Sequence, residues 1–416
     1  MNIININELD LDDLSTPIIP FEKRNSISFL LAAGFSAPKG YPIGYSVNEK
    51  LLKFHEEPVN FSPSGEIVIS TTGEKPTFGA MGYKSEYEIN FDFCLKLIRY
   101  YHNKYSKFDY EEFYDFIKSK DVYAKEYEEL AKDFISEYLT FERLIFGLSP
   151  IYNQMVAYLI KDKDKKQWYD GIPSHNGEYE GYTGFLKYLQ ELAYTHIINV
   201  HTLNHDLFFE SFNKTEYISG QISDGFDEYG SEYYSVVQHN KIDYHCRLER
   251  YNGYYNTPIR LYKLHGSLNY YLFYRSKGIF RIPDKYVKLR YGMNPSKLLR
   301  GLGSKKKYDE YPFSYHSDFL TGTTAKILRY NEPLLYRKLF KKFKKNLSQA
   351  EKLIIIGYGA KDAKINEIIL KHFDYSHKKV FIVDPYAGKA VEDFAKSINA
   401  KIIKEQINDI RKEMFI

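Results

Sequence analysis

Two short polar segments, each following an apolar run, carry the side chains in this chain that are best suited to chemistry. Residues 202–206 (TLNHD) follow the apolar run at 197–200, and residues 263–267 (KLHGS) end a second run. In an open α/β sheet, ligands bind at the carboxyl ends of the strands. We therefore expect Asn204 and His265 to meet in one pocket, where an amide can orient water and an imidazole can act as a general base.

Asp206, Asn204 and His265 each also have a plain structural interpretation. Asp206 is expected to cap a helix at 207–212, and Asn204 is left open between that capping role and a role in the pocket. His265 has an ordinary pKa of about 6.5, which suits proton transfer near neutral pH. One histidine among twelve is, however, more often a hydrogen-bonded core residue.

Two glycine turns follow two other apolar runs. The run at 27–33 (ISFLLAA) leads into residues 34–36 (GFS), where helix-start amides and small residues can hold a phosphate. Residues 357–359 (GYG) follow the run at 353–356, and Asp384 ends the next predicted strand, an arrangement that places a carboxylate on a ribose diol. Taken alone, each is equally explained as a strand-to-helix turn, with Asp384 in an Asp-Pro turn.

These segments need a sheet to bring them together, and the C-terminal part of the sequence predicts one. Strands and helices alternate there in the pattern of parallel strands joined by right-handed crossovers. The predicted strands are at 27–33, 197–200, 353–356, 380–383 and 402–403, and the predicted helices are at 47–54, 183–194, 362–373 and 387–398. The expected fold class is α/β, a Rossmann-like parallel sheet with helices on both faces.

The remaining segments are predicted to be additions to the sheet. From 86 to 160 the apolar residues recur with helical spacing, which predicts an all-helical insertion. One helical face is expected to contain Tyr127, Leu130, Ala131, Phe134, Ile135 and Tyr138. A hairpin or loop is expected at 58–82 and a second loop at 171–184, and the Tyr-rich stretch at 219–256 is expected to form a small lobe above the strand ends.

Composition excludes several classes of protein. The net charge of +4 is too small to require a nucleic-acid or membrane partner, and the two cysteines cannot form a disulfide framework or a four-cysteine zinc module. The start of the chain lacks a signal peptide and no apolar run reaches membrane-spanning length, so a cytoplasmic location is expected. The acidic arm at 8–13 is expected to dock on a neighbouring subunit or partner.

Two basic segments have a structural interpretation. Apolar positions recur at near-helical spacing around residues 337–345, which predicts an amphipathic helix with a solvated lysine face rather than a nucleic-acid site. Residues 305–307 (KKK) are expected to lie in a loop.

Together, the two polar segments and the two glycine turns resemble the sirtuin family, and specifically the sirtuin-like domains of bacterial defence proteins. The resemblance rests on Ala33-Gly34-Phe35-Ser36 with the following Gly40-Tyr41-Pro42, on Asn204-His205-Asp206, on His265-Gly266 and on Gly357-Tyr358. It implies that Asn204 and His265 are catalytic. It also implies that NAD+ is bound by Ala33, Gly34, Phe35, Ser36, Pro42, Thr202, Asp206, Gly357, Tyr358 and Asp384.

The departures from the family pattern bear on the reaction. Ala32 stands where the family usually has a glycine, and residues 43–45 (IGY) replace the acid, aromatic residue and arginine of the deacylase branch. With two cysteines in total, the zinc ribbon of the deacylases cannot form. The departures favour plain NAD+ cleavage without zinc over deacylation of an acyl-lysine peptide.

The resemblance therefore implies an NAD+ hydrolase that releases nicotinamide and ADP-ribose, as a defence effector that depletes NAD+ when triggered. Two alternatives stay open: a non-catalytic module that senses NAD+ or ADP-ribose for a partner, and a protein deacylase or ADP-ribosyltransferase. The expected assembly is a homo-oligomer docked on a HerA-type ring ATPase. The expected division is an N-terminal arm (1–25), a sirtuin-like NAD-binding domain (26–57 and 183–416) and a mainly helical insertion (58–182).

Overall fold

The computed structural model describes residues 21–61, 65–69, 84–161, 179–277, 280–293, 295, 298–300 and 316–416. The acidic arm at 8–13, the lysine cluster at 305–307, most of the predicted loop at 171–184 and much of the segment at 58–82 lie outside these ranges.

The strands are β1 (Asn25–Leu31), β2 (Val59–Phe61), β3 (Ile67–Ile69), β4 (His196–Thr202), β5 (Ile222–Ser223), β6 (Phe226–Asp227), β7 (Tyr233–His239), β8 (Ile242–Arg247), β9 (Glu249–Tyr251), β10 (Ile259–Lys263), β11 (Tyr270–Lys277), β12 (Phe280–Lys288), β13 (Leu298–Arg300), β14 (Ala350–Ile356), β15 (Lys379–Val383) and β16 (Lys401–Ile403). The helices are α1 (Ala33–Ser36), α2 (Gly44–Leu52), α3 (Glu86–Tyr105), α4 (Tyr110–Lys118), α5 (Lys125–Ala131), α6 (Phe141–Ile160), α7 (Thr183–Thr195), α8 (Phe208–Ser211), α9 (Ala325–Arg329), α10 (Tyr336–Gln349), α11 (Ala363–His372) and α12 (Lys389–Ser397).

A seven-stranded parallel sheet forms the centre of the molecule, with strand order β16-β15-β14-β1-β4-β10-β5. Its inner strands are largely apolar and buried on both faces, as expected for parallel strands covered by helices. In β1, residues 27–31 are all buried. The α/β fold class predicted from the sequence is confirmed.

The direction of winding reverses between β1 and β14. From β1 the chain proceeds outward to β4 and β10, whereas from β14 it proceeds outward on the other side to β15 and β16. Residues of α1, α7 and α8 pack on one face of the sheet. Residues of α10, α11 and α12 pack on the other. Such a reversal opens a crevice at the carboxyl ends of the two strands where ligands bind in α/β proteins.

Helices α3 to α6 form the predicted insertion, preceded by the antiparallel pair β2–β3. Its helices begin where the sequence supplies caps: the Ser85 hydroxyl accepts from the Glu88 amide, and Asp109 accepts from the amides of Glu111 and Glu112.

The sequence predicts a continuous helical face from 127 to 138, which is longer than the helix in the structure. Helix α5 ends at Ala131 and Tyr138 is 78% exposed. The Ser136 hydroxyl accepts from the amides of Tyr138 and Leu139, so a local turn replaces the helical hydrogen bonds there.

The Tyr-rich stretch and the residues after it form the predicted lobe, which is built from antiparallel strands in the orders β11-β12-β9-β6 and β13-β7-β8. Some of its buried residues, including Tyr271, Phe273 and Val287, belong to the same hydrophobic core as helices α3 to α6. Tyr270, Leu272 and Tyr286 instead pack in the core that contains helix α10. Helix α10 is amphipathic as predicted, with Leu339, Phe340 and Phe343 buried and Lys341, Lys344 and Lys345 exposed. No helix in the described part of the chain is long and apolar enough to cross a membrane.

Candidate functional site

The two polar segments at the strand ends lie side by side. Strands β4 and β10 are parallel neighbours in which Thr202 pairs with Lys263, and the Leu264 amide donates to the Thr202 carbonyl oxygen at 2.9 Å. Farther along, the Leu268 amide donates to the His205 carbonyl oxygen at 3.0 Å. Parallel pairing therefore delivers residues 202–206 and 263–267 to one edge of the sheet.

A hydrogen-bonded group joins the turn after β1 to the turn after β4. The Ser36 hydroxyl donates to Asp206 Oδ2 at 2.8 Å, and Asn204 Nδ2 donates to Ser36 Oγ at 3.2 Å and to the Ala32 carbonyl oxygen at 3.1 Å. Thr202 Oγ1 accepts from the Asn204 amide at 3.1 Å. Asn204 therefore joins two turns instead of capping α8.

Asp206 contacts the start of α8, as predicted, and also the turn after β1. Its Oδ1 accepts from the Phe208 amide at 3.0 Å, which caps α8, while its Oδ2 accepts from Ser36. Burial raises the pKa of the Asp206 carboxyl, and the neighbouring Lys263 opposes that rise. The Lys263 ammonium is itself buried and pairs with Glu210 Oε1 at 2.7 Å while donating to the carbonyl oxygens of His205 and Asp206.

The turn after β1 is a one-turn helix whose amides are partly used within the protein. The Gly34 amide donates to the Gly357 carbonyl oxygen at 3.1 Å, and the Phe35 amide donates to the Ala32 carbonyl oxygen at 2.8 Å. These two amides are therefore already paired within the protein. The Phe35 ring packs in an aromatic cluster with Tyr182, Phe185, Phe208, Phe209 and Phe212. Pro42 is partly buried and lies two residues before α2.

The second glycine turn packs directly on the first. A Cβ atom on Gly34 would lie 2.7 Å from Gly357 Cα, and Gly357 has φ of +64°. Tyr358 is buried, and its hydroxyl lies within hydrogen-bonding distance of two acceptors, the Asp362 carbonyl oxygen at 3.1 Å and Asn366 Oδ1 at 2.8 Å. Asp384 follows β15, and its Oδ1 accepts from the Tyr386 amide at 2.8 Å. Tyr358 and Asp384 thus each have a structural partner.

His265 is buried at the same edge of the sheet, with a side chain 6% exposed. Its Nε2 lies 3.1 Å from the Tyr330 hydroxyl and 3.7 Å from Asp362 Oδ2. Burial, and after it the nearby cation of Lys326, lowers the pKa of His265 well below its ordinary value. The ring is therefore neutral at physiological pH and can accept a proton, while burial also lowers its basicity.

Four residues near His265 were not predicted from the sequence to belong to the site. Tyr330 and Lys326 come from the segment containing α9, Asp362 precedes α11, and Glu111 belongs to α4 of the insertion. Asp362 carries the one local signal, because an aspartate at a predicted helix start is a typical cap, and its Oδ1 accepts from the amides of Lys364 and Ile365. Nothing near Lys326 or Glu111 in the sequence indicates that they approach the site.

The described residues contain no cluster suited to a metal ion. Cys94 is buried, Cys246 is partly exposed, and both are free thiols. Across the described ranges, His, Cys, Asp and Glu side chains make no group of three or more that could hold a metal ion.

No protein-family model and no curated protein matches this chain. Solved structures that align with it include a Sir2 homologue in complex with NAD, which is 10% identical, covers 91% of this chain and 89% of that chain, and has a TM-score of 0.32. A Sir2 structure with the inhibitor EX-527, 2'-O-acetyl-ADP-ribose and deacetylated p53 peptide is 11% identical, covers 93% and 91%, and has a TM-score of 0.32. A Sir2 homologue mutant with 2'-O-acetyl ADP ribose is 10% identical, covers 94% and 91%, and has a TM-score of 0.36.

Proposed function

We propose that the protein hydrolyses NAD+ to nicotinamide and ADP-ribose. The observation that supports this most is the convergence of the Ser36–Asn204–Asp206 group and the neutral His265 on the edge of the sheet where the winding direction reverses. A dinucleotide spans such a crevice in Rossmann-like sheets. The glycine turns allow the backbones of two loops to approach closely at the same point.

In the proposed reaction the N-glycosidic bond breaks, nicotinamide leaves with the bonding electron pair, and water adds to the resulting oxocarbenium-like carbon. Asn204 Nδ2 is held by the Ala32 carbonyl oxygen and by Ser36 Oγ, which orients Oδ1 to accept a hydrogen bond from that water or from a ribose hydroxyl. His265, neutral because it is buried, takes the proton that the water loses, directly or through a ribose hydroxyl. A general base of this kind contributes roughly 10²- to 10⁴-fold in rate.

The test is nicotinamide release from NAD+ by the purified full chain and by two variants. We expect His265→Ala to lose roughly 10²- to 10⁴-fold in rate and Asn204→Ala to fall strongly as well, with circular dichroism showing that both variants fold. His377→Ala is the matched control, since that imidazole is 80% exposed and pairs with Asp374. Equal turnover in the wild type and both site variants would exclude the proposed roles.

A second candidate is a module that binds NAD+ or ADP-ribose without cleaving it. It is favoured by the engagement of His265 Nε2 with Tyr330 and of Asn204 Nδ2 with two protein acceptors, which describes a site already organised by its own contacts. Calorimetry separates the two candidates. Tight NAD+ binding without turnover, unchanged in His265→Ala, would support the binding module, whereas turnover that appears only with an added acceptor protein would indicate a deacylase or ADP-ribosyltransferase.

A further inference from the structure

One short segment, residues 323–330, supplies a direct contact of His265 and a cation behind another of its contacts. The Tyr330 hydroxyl lies 3.1 Å from His265 Nε2, and the two rings stack with centroids 6.0 Å apart and planes at 23°. Lys326 Nζ lies 3.0 Å from Asp362 Oδ2, which in turn lies 3.7 Å from His265 Nε2. Lys326 and Tyr330 are four positions apart, so a single helical turn presents both toward the histidine.

Helix α4 of the insertion holds this segment through Asp115. That carboxylate accepts from the amides of Thr323, Thr324 and Ala325 at 3.0, 2.8 and 2.9 Å. It also accepts from the hydroxyls of Thr323 and Thr324. Five donors on one carboxylate fix the entry to α9.

Glu111, one helical turn before Asp115 on the same face of α4, makes the second attachment. Its carboxylate oxygens lie 3.3 and 3.4 Å from Lys326 Nζ. The Lys326 side chain is only 6% exposed, so its charge depends on its partners. Burial alone would lower the pKa of Lys326, but Glu111 and Asp362 together raise it. Removing one partner from a buried ion pair is strongly destabilising, which ties α9 firmly to α4.

We propose that α4 and the segment 323–330 form a clamp that positions His265, with Lys326 and Tyr330 as positioning residues, so that the helical insertion sets the geometry of the site. In this clamp, Asp115 holds the start of α9. Glu111 pairs with Lys326, which pairs in turn with Asp362 beside the imidazole. The inference rests on the proposed role of His265 as the base. Displacement of α4 would withdraw Glu111 from Lys326 and, through α9, shift Tyr330 relative to Nε2.

A purely structural role for the same contacts makes a different prediction. If they only hold the insertion against the sheet, breaking them lowers stability and leaves the protonation and environment of His265 unchanged. The state of the imidazole is therefore the decisive measurement. The titratable groups that face it are Lys326 and Tyr330 from the α9 segment, Asp362 before α11 and His205 after β4, with Glu111 of α4 behind Lys326.

The experiment is NMR of the full chain labelled at histidine, with the His265 signal assigned through His265→Gln. We expect the wild-type ring to stay neutral to low pH, and Lys326→Met to raise the pH at which it titrates by roughly one pH unit, because a nearby cation is lost while Asp362 remains. Lys326→Arg should restore the wild-type behaviour. Asp115→Ala should shift the His265 resonances and speed hydrogen exchange at 323–330.

The matched control is Glu112→Gln, which neutralises the neighbouring carboxylate of α4 that pairs with Lys107. It should leave the His265 signal unchanged. An unaltered His265 spectrum and titration in both Lys326→Met and Asp115→Ala would overturn the clamp. The NMR measurement needs no NAD+ turnover, so it can establish the clamp even in a protein that does not cleave NAD+. If the protein cleaves NAD+ but the His265 signal does not change in these variants, the proposed function stands and the clamp does not.

Discussion

Gly34 and Gly357 bring the backbones of two loops into direct contact at the centre of the sheet. A Cβ on Gly357 would lie 2.4 Å from the Phe35 amide nitrogen, and one on Gly34 would lie 2.7 Å from Gly357 Cα. The sequence suggested that these glycines make room for a phosphate. In the structure they first make room for each other, which fixes the turn that carries Ser36.

We predict that Gly34→Ala and Gly357→Ala each lower the free energy of unfolding by about 1–3 kcal/mol, since the neighbours are backbone atoms that cannot move aside and Gly357 has a left-handed backbone. Both should also weaken NAD+ binding, because the Ser36 turn is displaced. Urea unfolding and calorimetry measure the two effects. Gly359→Ala is the control, with nothing within 4 Å of its Cβ position. Equal stability of Gly34→Ala and Gly359→Ala would contradict the argument.

At the residue scale, the sequence predicts those site residues that directly follow a strand. Asn204, Asp206 and His265 follow buried strands directly, so the pattern places them. Lys326 and Glu111 cannot be found in this way. Their positions depend on how α4 packs against α9, a contact between segments more than 200 positions apart in the chain.

At the scale of elements, one buried histidine joins β1, β4 and α10. His201 on β4 donates from Nδ1 to the Phe29 carbonyl oxygen at 3.1 Å, and its Nε2 accepts from Asn346 Nδ2 of α10 at 3.1 Å. The ring also packs on Phe343 with centroids 4.7 Å apart. Both nitrogens are therefore used by the neutral imidazole, and a second proton would break the bond to α10.

This arrangement predicts a pH dependence of stability. Burial lowers the pKa of His201 from 6.5 to about 3. The unfolded chain therefore takes up a proton below about pH 6.5 that the folded chain refuses, and the free energy of unfolding falls as the pH falls toward 3. The slope of the free energy of unfolding against pH should be smaller in His201→Gln than in the wild type, by up to about 1.4 kcal/mol per pH unit. Denaturation between pH 4 and 7 measures it.

The control for this measurement is His377→Gln, which replaces an exposed histidine and should leave the slope as in the wild type. Burial also lowers the pKa values of His205, His265 and His316, so the comparison between variants is more informative than the absolute slope. Parallel curves for the wild type and His201→Gln would show that α10 does not depend on a neutral imidazole.

Most elements of the sheet were predictable because their patterns are local. Buried apolar runs that end in a glycine turn or a polar segment predicted the positions of β1, β4, β14 and β15. The spacing of apolar and lysine positions in α10 predicted an amphipathic helix. The end of α5 was not predictable from periodicity, because the apolar spacing continues through a turn that the Ser136 hydroxyl stabilises. Side-chain competition for backbone amides leaves the hydrophobic pattern unchanged.

At the scale of the whole molecule, the helical insertion and one side of the Tyr-rich lobe share a hydrophobic core. Leu148 and Met155 of α6 belong to the same cluster as Tyr271 of β11 and Val287 of β12. The cluster also includes Phe319, whose ring centroid lies 4.7 Å from that of His205 beside the site. Two additions that are separate in the sequence therefore meet over the strand ends.

A shared core predicts that the insertion and the lobe open together, because segments that bury one another lose protection as a unit. Leu148→Ala removes a fully buried side chain and should cost about 2–5 kcal/mol. Hydrogen exchange followed by mass spectrometry should then quicken in α6 and equally in β11 and β12, while β14 and β15 stay protected. Leu353→Ala, fully buried in the core between the sheet and α10, is the control and should accelerate exchange in the sheet. Faster exchange confined to α3–α6 after Leu148→Ala would mean that the lobe stands on its own, and that only the clamp on α9 links the insertion to the site.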